Sequence, residues 1–135
     1  MLLDNTKQWH ILSIKNQECA IIYFTDIALN SSGSWGFYFG LNAPLGVWLV
    51  IEFAALLHAF KSLGVSCLHC EGLSGNHPVI NLHKKSGFVQ EGCLRKARCT
   101  LHGLDDVIIF KMPKEQWFQI RAGLENLALS PISQL

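Results

Sequence analysis

A chain of 135 residues, half of them hydrophobic and 16% charged, is expected to fold as one domain with a real core, which excludes a disordered protein. Eleven basic against ten acidic residues leave a formal charge of +1, so no nucleic-acid partner is expected. The most apolar window, Leu45–Phe60, is shorter than the roughly 20 residues a membrane span needs and carries Glu52 and His58, so no membrane segment is expected either.

The amino terminus, MLLDNTKQWH, has no basic region leading into an apolar stretch. Without such a signal, the five cysteines (Cys19, Cys67, Cys70, Cys93 and Cys99) read as reduced core thiols of a cytoplasmic protein. Trp9–Ile14 and Cys19–Asp26 are apolar, β-branched runs around Lys15-Asn16-Gln17-Glu18, an antiparallel pair of strands. After the loop Asn30–Ser34, Trp35, Phe37 and Phe39 alternate with Gly36, Tyr38 and Gly40, again at strand spacing. Pro44 and Gly46 form the turn that follows. From Val47 to Lys61 only Glu52, His58 and Lys61 are polar, and Glu52 and His58 do not share one face. That predicts a helix buried nearly all round, ended by Gly64.

Val65–Leu73 is the next strand, parallel to Trp35–Gly40 because a helix connects them. Asn76–Ser86 predicts a second helix, with Asn76 as N-cap, Pro78 in the first turn and Gly87 past the end. Val79, Leu82, His83 and Ser86 share its packed side. Phe88–Cys99 and Val107–Met112 frame His102–Asp105 as a closing hairpin. Glu115–Leu129 reads as a tail helix ended by Ser130-Pro131.

Four features could carry chemistry. A short glycine turn before a buried helix exposes unpaired N–H groups at the helix start, which suit a phosphate, though a single loop glycine such as Gly46 is weak evidence and more often only a turn residue. Cys67 and Cys70 have metal-motif spacing with His77 and His83 nearby. On a strand they point to opposite faces, which disfavours a small zinc-binding module and leaves no metal site expected. Glu71, at the carboxyl end of its strand, lies where open α/β sheets bind ligands, but it reads equally well as a solvated loop residue. His83 is open in the same way, between a satisfied core histidine and an acid or base.

Taken together, WGFYFG, APLGVW opening the helix that contains IEFAALLHAF, LHCEGLSGN and VINLHKKSGFVQEGCLR closely resemble the GNAT N-acetyltransferase superfamily. The similarity runs from about Trp9 to Trp117. It is greatest to the branch that acetylates the 4-amino sugar nucleotide of pseudaminic acid biosynthesis. Asn76 to Phe88, the Glu-Gly-x-x-Arg at Glu91, Gly92 and Arg95, then Asp106 and Lys114–Trp117 are its specific parts. The resemblance implies a mixed α/β (α+β) fold: a mostly antiparallel sheet with a central parallel pair and flanking helices, in one domain over residues 1–135.

It also implies an acetyl-CoA-dependent N-acetyltransferase. The cosubstrate would lie in a V-shaped opening between Trp35–Gly40 and Val65–Leu73. Backbone at Phe39 and Gly40 would pair with the pantetheine arm. The amides of Leu45, Gly46, Val47 and Trp48 would hold the pyrophosphate, with Asn76 near the thioester. His83 stands where the superfamily often has a tyrosine that protonates the departing thiolate, and Glu71 is the candidate base for the attacking amine. The acceptor would be a small-molecule primary amine, for which this branch implies a nucleotide sugar.

Two departures carry consequences. Trp48 occupies a position where the superfamily usually has glycine or alanine. The family's first strand and the helices after it have no counterpart. That implies an acceptor pocket that is open or completed by a second subunit, with an edge that favours a homodimer. The alternative expectation is a catalytically inactive relative that keeps the fold and binds CoA or only self-associates.

Overall fold

Lys15 and Asn16 both take left-handed backbone conformations (φ 51° and 65°), the pairing a two-residue hairpin needs to follow the twist of its strands. They join β1 (Gln8–Ile14) to β2 (Gln17–Thr25), so the hairpin is tighter than the four-residue turn expected. The computed structural model describes residues 7–40 and 46–133. Beyond β2 come β3 (Ser32–Phe39), α1 (Val47–Leu57) with a widened π-helical turn at His58–Leu63, β4 (Cys67–Leu73) and α2 (His77–Lys85). β5 (Val89–Thr100), β6 (Gly103–Pro113) and α3 (Lys114–Ser133) complete the order.

The six strands form one sheet in the order β1-β2-β3-β4-β6-β5, antiparallel except for the central pair β3–β4. The fold is therefore the mixed sheet with a single parallel pair that was expected. Gly64 ends the buried helix in the left-handed region (φ 67°), as its position implied. Other boundaries differ from expectation as well: β3 begins at Ser32, inside the expected loop Asn30–Ser34, and it is those first residues that pair with β4. The β5–β6 strands run further, so that only Leu101 and His102 stand between them. The tail helix continues past Pro131 to Ser133, because a proline in a last turn removes only one backbone bond, to residue 127.

One face of the sheet is covered and the other is open. Ala20, Ile22 and Phe24 of β2, Trp35 of β3, Leu68 and Cys70 of β4, and Phe110 and Met112 of β6 are buried with Val50, Ile51, Leu56 and Phe60. Trp117 of α3 closes this core, its indole stacked on Phe60 (5.8 Å, 16°) and tilted against Phe53. On the opposite face the alternate residues Trp9, Ile21 and Tyr38 are exposed. No described helix is long and apolar enough to cross a membrane.

Where α1 passes into the widened turn, His58 lies against Phe24 (5.2 Å) and His10 (4.5 Å), with Nε2 buried and unpartnered among the described residues. Burial, with the His10 charge adding, lowers the His58 pKa below 6.5. The unfolded chain then binds a proton that the folded chain does not, so stability falls as pH drops through 6.5 toward the folded value. His58→Phe is expected to flatten that acid limb in a plot of Tm against pH; an unchanged slope would remove His58 as its source.

Candidate active site

β3 and β4 pair at three positions, Ser32–Cys67, Gly33–Leu68 and Ser34–His69, and then separate. From Trp35 to Phe39 and from Cys70 to Leu73 each strand keeps its other neighbour while the edges between them are unpaired. Main-chain direction along β3 follows from one bond. The Gly40 N–H donates to Cys19 O (2.8 Å), toward β2. Alternation then turns the amides and carbonyls of Phe37 and Phe39 to the gap. Of the two residues expected to face a pantetheine arm, Phe39 thus presents its backbone to the gap, while the Gly40 N–H is already in use.

The gap opens into a cleft of about 1030 Å³ that includes both faces of the sheet. Trp35, Phe37, Phe39, Trp48, Cys70, Asn76 and His83 line it on the helix side. Tyr23, Gly36, Tyr38, His69 and Glu71 line it on the open side. Residues 39, 48, 71, 76 and 83, chosen from sequence, therefore share one cavity. Val47 is buried at the start of α1 and is not part of the cleft wall. Leu45 lies outside the described residues.

At the start of α1, Gly46 is in the left-handed region (φ 85°), and no side chain caps the helix. No acidic residue occupies the first turn, so among the described residues no carboxylate there offsets the positive end of the helix dipole. The Trp48 indole leans onto β3, edge-to-face with Phe39 (4.3 Å) and Phe37 (6.0 Å). It forms a side wall between the helix start and the strand end.

Asn76 caps α2, its Oδ1 accepting the Val79 N–H (3.4 Å), and among the described residues no protein group engages its Nδ2. His83, on the packed side of α2, is 2% exposed, and its ring lies 5.4–5.9 Å from those of Trp35, Phe88 and Phe110. Its Nδ1 is hydrogen-bonded to Glu52 Oε1. Glu52 is fully buried in α1, and burial raises its pKa above 4.5 while His83 pulls it back down. Its Oε2 has no partner among the described residues. Cys70 lies nearby, its thiol pushed well above 9.0 by burial, then by the Glu52 charge. The Trp35 indole N–H holds back part of that rise without completing a hydrogen bond by distance and angle.

Glu71 sits on the open side, exposed, in a 3.5 Å ion pair with Arg98. A bulge in β5 between Leu94 and Arg98 accompanies that placement, fixed where the Lys96 N–H (φ 48°) donates to Asp106 Oδ1 (2.9 Å). Tyr23 packs across Gly36, where a Cβ would come within 2.1 Å of the tyrosine oxygen. Burial raises the Tyr23 pKa, with Tyr38 and Glu71 adding to the rise.

Glu52 and Tyr23 were not among the residues chosen from sequence. A lone carboxylate in an apolar helix signals a buried partner, but nothing in the local pattern identifies that partner. Tyr23 sits opposite Gly36 across the β2–β3 pair, and a small residue facing an aromatic one is the available sequence signal.

A sheet that parts between two parallel strands, beside a helix with a bare glycine start, is the fold of the GNAT N-acetyltransferases. No protein-family model matches the chain. It is 30% identical over 100 residues, 68% of its length, to the SPbeta prophage-derived uncharacterized N-acetyltransferase YokL of Bacillus subtilis, and it spans about half (53%) of that relative. A chimera of the spermidine N-acetyltransferase SpeG of Vibrio cholerae with hSSAT superposes with a TM-score of 0.78 at 16% identity, over 85% of this chain and 71% of that one. The N-acetyltransferase PseH of Campylobacter jejuni superposes with a TM-score of 0.68 at 21% identity, over 82% and 70%.

Proposed function

We propose that the chain transfers the acetyl group of acetyl-CoA to a primary amine by direct attack of the amine on the thioester. The observation carrying this reading is the three-residue pairing of β3 and β4 followed by an open slot. Two reactants can approach such a slot from opposite faces of the sheet and meet within it. On the helix side, the free main-chain groups of Phe37 and Phe39 suit an extended amide-bearing arm, which adds to the β3 edge as a strand would. The bare first turn of α1 suits its phosphates.

On the open side, Glu71 takes a proton from the amine, directly or through water, and Tyr23 and Tyr38 wall the approach. Positioning in the slot supplies most of the rate, and His83 supplies a proton to the thiolate as the C–S bond breaks. The sequence resemblance to the pseudaminic acid branch makes a 4-amino sugar nucleotide the first acceptor to try, and the likeness to the spermidine N-acetyltransferase SpeG makes spermidine the second.

Titration with acetyl-CoA, followed by tryptophan fluorescence from Trp35 and Trp48, and thiol release in the presence of each amine, tests the reading. Saturable binding with amine-dependent release of CoA is expected. Binding with no turnover on any primary amine would leave an inactive relative, and no binding would overturn the reading altogether. Because the Trp48 indole forms a side wall, Trp48→Gly is expected to weaken acetyl-CoA binding by about two- to tenfold, the worth of one aromatic contact. Tighter binding in a calorimetric titration would show that the indole obstructs the site.

A further inference from the structure

Glu52 and His83 meet across 31 residues of sequence, one from the middle of α1 and the other from α2. Their side chains are 0% and 2% exposed, and Glu52 Oε1 bonds to His83 Nδ1. With Nδ1 turned inward, Nε2 is the ring nitrogen that His83 has left for the cleft it lines. Trp35, Phe88 and Phe110 surround the imidazole and bring no charge. β4 contributes the Cys70 thiol, kept protonated by burial, with Glu71 beyond it at the open face; Lys84 and Lys85 of α2 are exposed.

Burial acts on this pair in the opposite sense to its action on a lone histidine. An isolated buried imidazole sheds its proton, because the charged form loses solvation. Here one proton lies between Oε1 and Nδ1, and a second on Nε2 makes the pair neutral overall. Removing the Nε2 proton leaves a buried anion with Glu52 Oε2 already unpartnered, which is the costly state. We propose that Glu52 is a positioning residue that keeps Nε2 of His83 protonated and directed at the cleft, so that His83 stands loaded as an acid.

This rests on the acetyltransferase reading for its use. When the tetrahedral adduct collapses, the C–S electron pair passes to sulfur. The sulfur takes the Nε2 proton, and the pair is left as Glu52 carboxylate bonded to Nδ1–H. A proton equivalent to the one the amine releases then restores the neutral pair, so the step balances without another reactant.

The test is nitrogen-15 NMR of the histidine-labelled full chain near neutral pH, with turnover of Glu52→Gln measured alongside. The wild-type His83 Nε2 is expected to carry a proton; a bare Nε2 would overturn the proposal. In Glu52→Gln the amide can hold the ring, but it neither brings the negative charge that favours two protons on the pair nor can pass a proton to Nδ1 as Nε2 gives up its own. Turnover is expected to fall at least about tenfold, a part of the roughly 10²–10⁴-fold that a positioned acid contributes, with acetyl-CoA affinity unchanged. Wild-type turnover in that variant would also overturn the proposal. Should the variant fail to fold, the wild-type spectrum decides alone. The spectrum needs no acceptor, so its outcome is separate from whether the chain acetylates an amine.

Discussion

His83→Ala is expected to lower turnover by about 10²–10⁴-fold, the usual contribution of a positioned acid. Acetyl-CoA affinity should stay close to wild type, because the proposed contacts to the arm and phosphates come from β3 and α1. The same substitution strips Glu52 of its partner and leaves both carboxylate oxygens buried without a bond. Breaking a buried pair in this way typically costs about 3–5 kcal/mol. The sign of its pH dependence follows from Glu52, whose pKa is already raised above 4.5 by burial and, without His83, loses the influence that opposed the rise. The folded variant then holds a proton that the unfolded chain releases, so its stability declines as pH rises above 4.5. Urea unfolding at acid and neutral pH, beside single-turnover assays, checks both effects. Unchanged turnover would remove His83 from the chemistry. Because His58 acts in the opposite sense in both proteins, the comparison is with wild type, and a stability loss that shrinks as pH rises would contradict the buried-pair account.

The second large effect is on the fold. Trp117→Ala removes the indole that stacks on Phe60 and meets Phe53, and with it the contact by which α3 holds α1 against the sheet. A loss of about 3–5 kcal/mol is expected for a buried aromatic truncated to alanine. The start of α1 is part of the proposed site, so acetyl-CoA binding should weaken in parallel when measured at a temperature where the variant remains folded. A loss below about 1 kcal/mol by denaturant titration, well short of that range, would show that α3 is peripheral.

Elements whose signals are local were legible in the sequence. Asn76 with Pro78 fixed the start of α2, Gly64 ended the long helix, and alternation in β3 and β4 gave their faces. The packed side of α2 followed from Val79, Leu82 and Ser86, which placed His83 inward before any coordinate did. The splay was a different matter. Residues 35–39 have ordinary strand composition, and their lack of a partner on one edge is a tertiary fact that the family resemblance supplied. The Glu52–His83 pair was not legible for the same reason: two polar residues in apolar stretches give no sign that they are each other's partner. The β5 bulge at Lys96 was hidden because a lysine, not a glycine, holds the left-handed position there.

The slot between β3 and β4 bears the whole functional reading, and amide hydrogen exchange measures it directly. With saturating acetyl-CoA, the Phe37 and Phe39 amides, which face the gap, should exchange more slowly than in the free protein, while those of β1 and β5 keep their rates. Unchanged exchange at Phe37 and Phe39 in a demonstrably bound sample would contradict the account.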